Sequence, residues 1–265
     1  MADTLPTFFV SHGAPTLALD PGATGAFWQR LAAELPRPEA VLCISAHWTT
    51  VEPEVSAAAR NETIHDFYGF PEPLYRIAYP APGAPALAAR VAELLGDGGV
   101  ATRIERARGL DHGAWVPLRS MYPKADVPAL QLSVQPQRDA TWHRRLGAAL
   151  APLRSEGVLI LASGGAVHNL RALDWSGEGP APAWARAFDD WLAATLAEGD
   201  TVALLDWRNA APDARQAQPT TEHFVPLFVA LGAAGEGARG ERLHQGFTYG
   251  SLSMAAFRFA RGEGA

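Results

Sequence analysis

Short apolar runs of strand length recur along the chain, at residues 7–10, 40–46, 129–134 and 158–162. They are nearly all apolar instead of alternating, which is the pattern of strands covered on both faces. Helical spacing fills the intervals. Residues 25–35 place Phe27, Leu31 and Leu35 on one face, and residues 85–95 are rich in Ala and Leu and stop at Gly96. Residues 142–153 follow Asp139, a candidate N-cap, and residues 182–196 carry Trp184, Phe188 and Trp191 at helical spacing. Residues 222–231 end at Gly232. Strands alternating with helices predict an α/β fold with a largely parallel sheet. Two stretches read as irregular: the Pro-rich residues 70–83 and the polar residues 206–219. Long loops of that kind are often functional. No linker or repeat divides the chain.

Composition narrows this picture. A length of 265 residues fits one large α/β domain or two small ones, and a hydrophobic content of 48% supports a sizeable core. A net charge of -6 gives no electrostatic reason to expect nucleic acid or an anionic membrane as partner. No apolar run reaches the roughly 18 residues a membrane span needs. The stretch Met1-Ala2-Asp3-Thr4-Leu5-Pro6 lacks the basic and apolar regions of a secretory signal, so the cytoplasm is the expected compartment. The acceptor pattern Asn61-Glu62-Thr63 then has no consequence. The single cysteine, Cys43, lies in an apolar strand and reads as a buried thiol. Residues 262–265 are expected to fray.

The candidate chemistry lies in the histidines. His12, His47 and His168 each follow an apolar strand pattern, and His223 falls near an expected helix start with Thr220 or Thr221 as possible N-cap. His112 falls in a Gly-flanked loop, Gly109-Leu110-Asp111-His112-Gly113. Ligands of open α/β sheets bind at the carboxyl ends of strands. Neutral imidazole is the commonest protein ligand for zinc and iron, so these histidines predict a metal site. Taken singly, any of them is more simply a hydrogen-bonded histidine at a loop start. His143, beside Arg144 and Arg145, reads as exposed, and His244 reads as structural. His65 lies among Phe67, Tyr68 and Phe70, which either line a pocket or pack on the core. Other site types fit poorly. No dinucleotide or phosphate loop and no His-Glu-x-x-His is present, Ser163-Gly164-Gly165 is not a nucleophile elbow, and one cysteine excludes a thiolate zinc site.

Nine segments in order carry a resemblance: Ser11-His12-Gly13-Ala14-Pro15, Ser45-Ala46-His47-Trp48, residues 63–71, Tyr79-Pro80-Ala81-Pro82-Gly83, Asp111-His112-Gly113-Ala114-Trp115, Gln131-Leu132-Ser133, residues 162–170, residues 221–227 and Gly250-Ser251-Leu252-Ser253-Met254. Together they resemble the class III (LigB-type) extradiol ring-cleaving dioxygenases, most closely the bacterial 4,5-DOPA dioxygenase branch. The resemblance implies a single domain over residues 1–265, built on a central, largely parallel mixed sheet flanked by helices. It implies Fe(II), or Zn(II) in its place, held by His12, His47 and His223. Glu222 is a rival third ligand, and His168 a possible fourth. It further implies His168 as acid and base, His112 as the residue that orients oxygen, and His65, Phe67, Tyr68 and Phe70 as an aromatic wall. The partners would be a small catechol and O2, giving a muconic semialdehyde; self-association stays open. A zinc-dependent hydrolase and a non-enzymatic binding or signalling protein are the rival expectations.

Overall fold

The computed structural model describes residues 4–177 and 179–261. In chain order the elements are β1 (Thr7–Ser11), α1 (Gly22–Glu34), β2 (Ala40–Thr49), β3 (Glu54–Ser56), α2 (Pro85–Asp97), β4 (Arg103–Glu105), α3 (His112–Met121), β5 (Ala129–Val134), α4 (Ala140–Ala149), β6 (Val158–Gly164) and α5 (Ala183–Glu198). Three short helical segments follow, α6 (Thr201–Leu205), α7 (Trp207–Ala210) and α8 (Ala214–Ala217), then α9 (Val225–Ala234) and the strands β7 (Ala238–His244), β8 (Phe247–Thr248), β9 (Leu252–Ser253) and β10 (Ala256–Arg261).

Eight strands form one sheet in the order β4-β3-β5-β2-β6-β1-β10-β7. Its centre is parallel: β5, β2, β6 and β1 run together, with Ser45 beside Ser163 and Ser11 beside Gly164. β10 and β7 add an antiparallel edge. The four apolar runs of the sequence are these four central strands, each buried along almost its whole length. Their register brings the carboxyl ends of β1, β6 and β2 side by side, and that edge carries the site. The β2–β5 register breaks between Ile44 and Thr49, where His47 lies.

α9 is buried on every side, so its apolar character has no stripe. It begins at Val225, three residues later than the pattern predicts, because Pro226 suits the first turn of a helix and fixes its start there. His223 therefore sits in the turn before the helix. Thr220 and Thr221 do not cap it: their hydroxyls donate to Glu222 and to the Pro136 carbonyl. α4 starts at its expected cap, with Asp139 accepting from the Trp142 N–H at 2.7 Å, but stops at Ala149, before Pro152. His143 on this helix is fully buried, contrary to its expected exposure. Its Nδ1–H donates to the Asp139 carbonyl at 2.8 Å, and its Nε2 accepts from the Gln135 N–H at 3.4 Å. His244 is structural as expected, stacked on Phe27 with ring centroids 4.8 Å apart. Cys43 is buried and unpaired. The 206–219 stretch contains α7 and α8, whereas 70–83 holds only a single 3-10 turn, Glu72–Arg76. The expected fraying of 262–265 falls outside the described residues. Among the described residues, no helix is long and apolar enough to cross a membrane.

Candidate active site

The expected histidines converge at the carboxyl edge of the sheet. His12 leaves β1 with its N–H on the Gly164 carbonyl at 3.1 Å. Gly13 follows at φ +66°, where an added Cβ would lie 2.7–2.8 Å from Leu17 and Met254. The end of β6 packs on the turn that holds His223. The Gly165 N–H donates to the His223 carbonyl at 2.9 Å, and a Cβ on Gly164 would fall 2.1 Å from that oxygen. These two glycines let the strand end and the His223 turn meet. His168 is pinned by its N–H to the Ala217 carbonyl at 2.9 Å. His112 is not in a loop. It opens α3, because the buried Asp111 carboxylate accepts from the Ala114 N–H and caps the helix.

The hydrogen bonds behind the rings set the tautomers of His12 and His223, and an Asp66 carboxylate oxygen faces Nδ1 of His47. Ser163 donates its hydroxyl to the Gly113 carbonyl, so its oxygen accepts from the His12 Nδ1–H at 3.0 Å. Glu222 Oε1 accepts from the His223 Nδ1–H at 3.0 Å, and Asp66 Oδ2 stands 3.4 Å from His47 Nδ1. With its Nδ1–H turned to Asp66, His47 joins His12 and His223 in presenting an Nε2 lone pair. The three face one another, His47 Nε2 lying 3.0 Å from His12 Nε2 and 3.2 Å from His223 Nε2. A second proton on these rings is disfavoured. Burial, then neighbouring imidazoles, hold His12 and His223 well below the usual histidine range, and burial followed by His112 lowers His47 to about 4. A cation placed among three convergent lone pairs relieves their repulsion, so the donor set fits a first-row metal. Glu222 contacts the proposed ligand His223 from behind, as an orienting carboxylate does.

Asp66 has a double role. Its Oδ1 accepts from the backbone N–H of His112 at 2.9 Å and from the His112 Nδ1–H at 3.0 Å, while Oδ2 faces His47. Burial pushes its carboxyl up, but the His112 hydrogen bonds and the nearby imidazoles outweigh that and hold it at about 2. The His112 ring lies 3.9 Å from that of His47. His168 stacks on His223 with centroids 3.4 Å apart and an interplanar angle of 6°. Burial lowers it to about 4.

A cleft of about 630 Å³ opens above these rings. Phe67, Tyr68 and Phe70 line it as expected, and Phe67 stands edge-on to His112 at 5.7 Å. His65 does not line it. It packs behind Phe67 at 5.8 Å with its Nε2 on the Ile77 carbonyl at 3.0 Å. Leu170, Leu173, Trp175 and Tyr249 also line the cleft. Neither these four nor Asp66 and Ser163 stand out in the sequence as site residues. A tryptophan amid Asp174, Ser176 and Gly177 was the one local signal for that wall.

Convergent imidazoles at the carboxyl edge of a parallel sheet, beside a cleft lined by aromatic side chains, are the arrangement of an α/β enzyme with a site able to hold a metal. The chain belongs to the LigB family: residues 6–260 match the model described as the catalytic LigB subunit of aromatic ring-opening dioxygenase. It is 46% identical over 257 residues to a 4,5-DOPA dioxygenase extradiol of Beta vulgaris, covering 96% of both chains. It is 41% identical to the protein of the same name in Escherichia coli K12, covering 94% of this chain and 93% of that one. A crystal structure of an uncharacterised Escherichia coli K12 protein superposes with a TM-score of 0.79 at 36% identity, covering 97% of this chain and all of that one. The activity class is extradiol ring-opening dioxygenation, as the ordered motifs predicted, ahead of the hydrolase and binding-protein expectations.

Proposed function

We propose that His12, His47 and His223 hold one Fe(II) and that the cleft above it takes a small catechol for ring opening with O2. The observation that carries this is the convergence of three Nε2 atoms, separated by 3.0 and 3.2 Å, with Nδ1 of His12 and His223 hydrogen-bonded and Nδ1 of His47 facing Asp66 at 3.4 Å. Bound there, iron would supply Lewis-acid binding of the catechol oxygens and an electron path to O2. The protein supplies the rest. His168 is neutral at pH 7, accepts a proton from a catechol hydroxyl and returns it as the ring opens. His112, its Nδ1–H held by Asp66, presents Nε2 as an acceptor beside the metal site, where it orients substrate or oxygen. Phe67 and Phe70 flank the ring and exclude water. Zn(II) fits the same nitrogens and would leave a protein that binds catechol without turning it over. DOPA, the substrate in the relatives' names, is the first catechol to try. A cytoplasmic setting suits a chain whose one cysteine is buried and unpaired.

Anaerobic loading with Fe(II), followed by catechol and O2, tests the reading. The expected result is equimolar uptake of O2 and catechol and a yellow semialdehyde. The His168→Phe variant should keep its iron and lose ring cleavage; full activity would remove His168 from the mechanism.

A further inference from the structure

Apart from the imidazoles and Asp66, the lining of the cleft holds four side chains with a polar atom: Thr16, Tyr68, Trp175 and Tyr249. Tyr68 and Trp175 are exposed at the mouth, by 91% and 61%. Thr16 and Tyr249 are half-buried, and their hydroxyl oxygens lie 2.9 Å apart. Each hydroxyl brings one proton and two lone pairs. Their mutual bond uses one of the two protons, and neither oxygen has another partner among the described residues. One O–H is therefore left to donate. It sits on the oxygen that already accepts from the other hydroxyl, and that polarisation makes it a stronger donor.

Three segments hold this pair in place. Thr16 lies four residues after His12, in the 3-10 turn Pro15–Ala18 that follows Gly13. Tyr249 lies at the tip of the β8–β9 hairpin, in which Thr248 pairs with Leu252. Its φ is +50°, in the left-handed region that side chains other than glycine avoid. Such a conformation persists where its surroundings over-determine it, and residues of this kind cluster at ligand clamps. Here the Tyr249 carbonyl accepts from the N–H groups of Asp174 and Ser251 at 3.0 and 2.9 Å, and the Ser251 hydroxyl donates to the Ala172 carbonyl at 3.1 Å. The Trp175 and Tyr249 rings pack with centroids 5.0 Å apart. The hairpin is thus tied to the loop that brings Leu170, Leu173 and Trp175 to the cleft. A mostly apolar pocket orients its ligand through a few fixed polar groups, and a volume of about 630 Å³ holds a substituent as well as a ring.

We propose that the Thr16–Tyr249 hydroxyl pair is the subsite for the ring substituent of the catechol, and that it donates to a carboxylate at the end of that substituent. This rests on the catechol reading above and deepens it. Losing the hydrogen bonds to a charged group typically costs about tenfold or more in affinity. 3,4-Dihydroxyphenylpropionate and 4-propylcatechol carry side chains of the same length and differ in the carboxylate. With Fe(II) enzyme, the double variant Tyr249→Phe with Thr16→Val removes both hydroxyls and keeps their shape. It is expected to lower kcat/KM for the acid about tenfold relative to 4-propylcatechol, with the change in KM, as for an interaction made equally in ground and transition states. Each single variant keeps one donor and should fall between. Thr16→Ser keeps the hydroxyl and should keep the wild-type ratio. An equal loss on both compounds would make the pair a staple between the hairpin and the Thr16 turn and would overturn the proposal, as would an unchanged ratio in the double variant. Calorimetry with Zn(II)-loaded protein should show the same selective loss in the Kd of the acid. If neither compound is turned over yet calorimetry shows that loss, it is the ring-opening reading that fails and the subsite stands.

Discussion

Asp66 joins two imidazoles through one carboxylate, one oxygen on His112 and the other facing His47. A carboxylate behind a ligating histidine fixes its tautomer and raises its basicity, and losing one typically lowers metal affinity or activity 10–100-fold. Asp66→Asn keeps the shape but replaces one acceptor oxygen with a donor. We expect weaker metal binding and a kcat per bound metal about 10–100-fold lower, measured by chelator competition and oxygen uptake. An unchanged kcat per metal would reduce Asp66 to a structural role. The sequence shows why this residue escaped a reading that found the histidines. His12, His47 and His168 stand at the ends of apolar runs, where a polar ring needs a reason. Asp66 stands in a loop outside the apolar strand runs, where a carboxylate raises no question, and its partners at positions 47 and 112 are far from it in the chain. His143 failed the other way. The two arginines that follow it suggest a solvated face, but its ring turns inward, where two backbone groups satisfy both nitrogens.

At the level of elements, α4 and α9 cross at glycines. A Cβ on Gly147 would fall 2.0 Å from the Val229 carbonyl oxygen, and one on Gly232 would fall 2.0 Å from that of Arg144. Both obstacles are backbone, so no side chain can swing away. Gly232→Ala should therefore force the helices apart and cost about 1–3 kcal/mol, the usual range for overpacking, seen as a lower urea midpoint. An unchanged midpoint would mean that the crossing relaxes freely. Gly232 had looked like a helix stop; it is an interior residue of α9 whose missing side chain serves packing. The same limit explains which elements were legible. Central strands are apolar on both faces and stand out as runs. β7 is partly exposed and polar, so it carries no such run, and where the antiparallel part of the mixed sheet lies is not legible in the pattern. α3 was hidden because its first residues, His112 and Gly113, read as loop. What makes them helical is Asp111, whose carboxylate caps the helix while Ser45, Gln131 and Arg108 hold it in place.

At the scale of the whole molecule, folding buries a set of imidazoles in neutral form, and this sets its response to acid. His143, His47 and His168 are each lowered to about 4, mainly by burial, and His12 and His223 lie well below the usual value. In the unfolded chain each titrates near 6.5. Above that pH both states are neutral and the full stability is present. As pH falls from about 6.5 towards 4, the unfolded chain takes up protons that the folded one refuses, and stability falls. For His143 alone the interval corresponds to about 3 kcal/mol, at roughly 1.4 kcal/mol per pH unit. The metal-free protein should thus lose urea resistance steeply between pH 6.5 and 5, and a flat profile would contradict the burial of these rings. Metal should add to this in a particular way. Its ligands are already neutral in the folded state, so protons do not compete for them until the pH nears 4. A saturating concentration of Zn(II) should therefore raise stability by RT ln(1 + [Zn]/Kd), an increment that stays nearly constant from pH 7 to pH 5. The two stability curves should run parallel. Convergence of the curves below pH 6.5 would show instead that the folded histidines titrate like exposed ones, and the argument for three lone pairs held ready for a cation would fail with them.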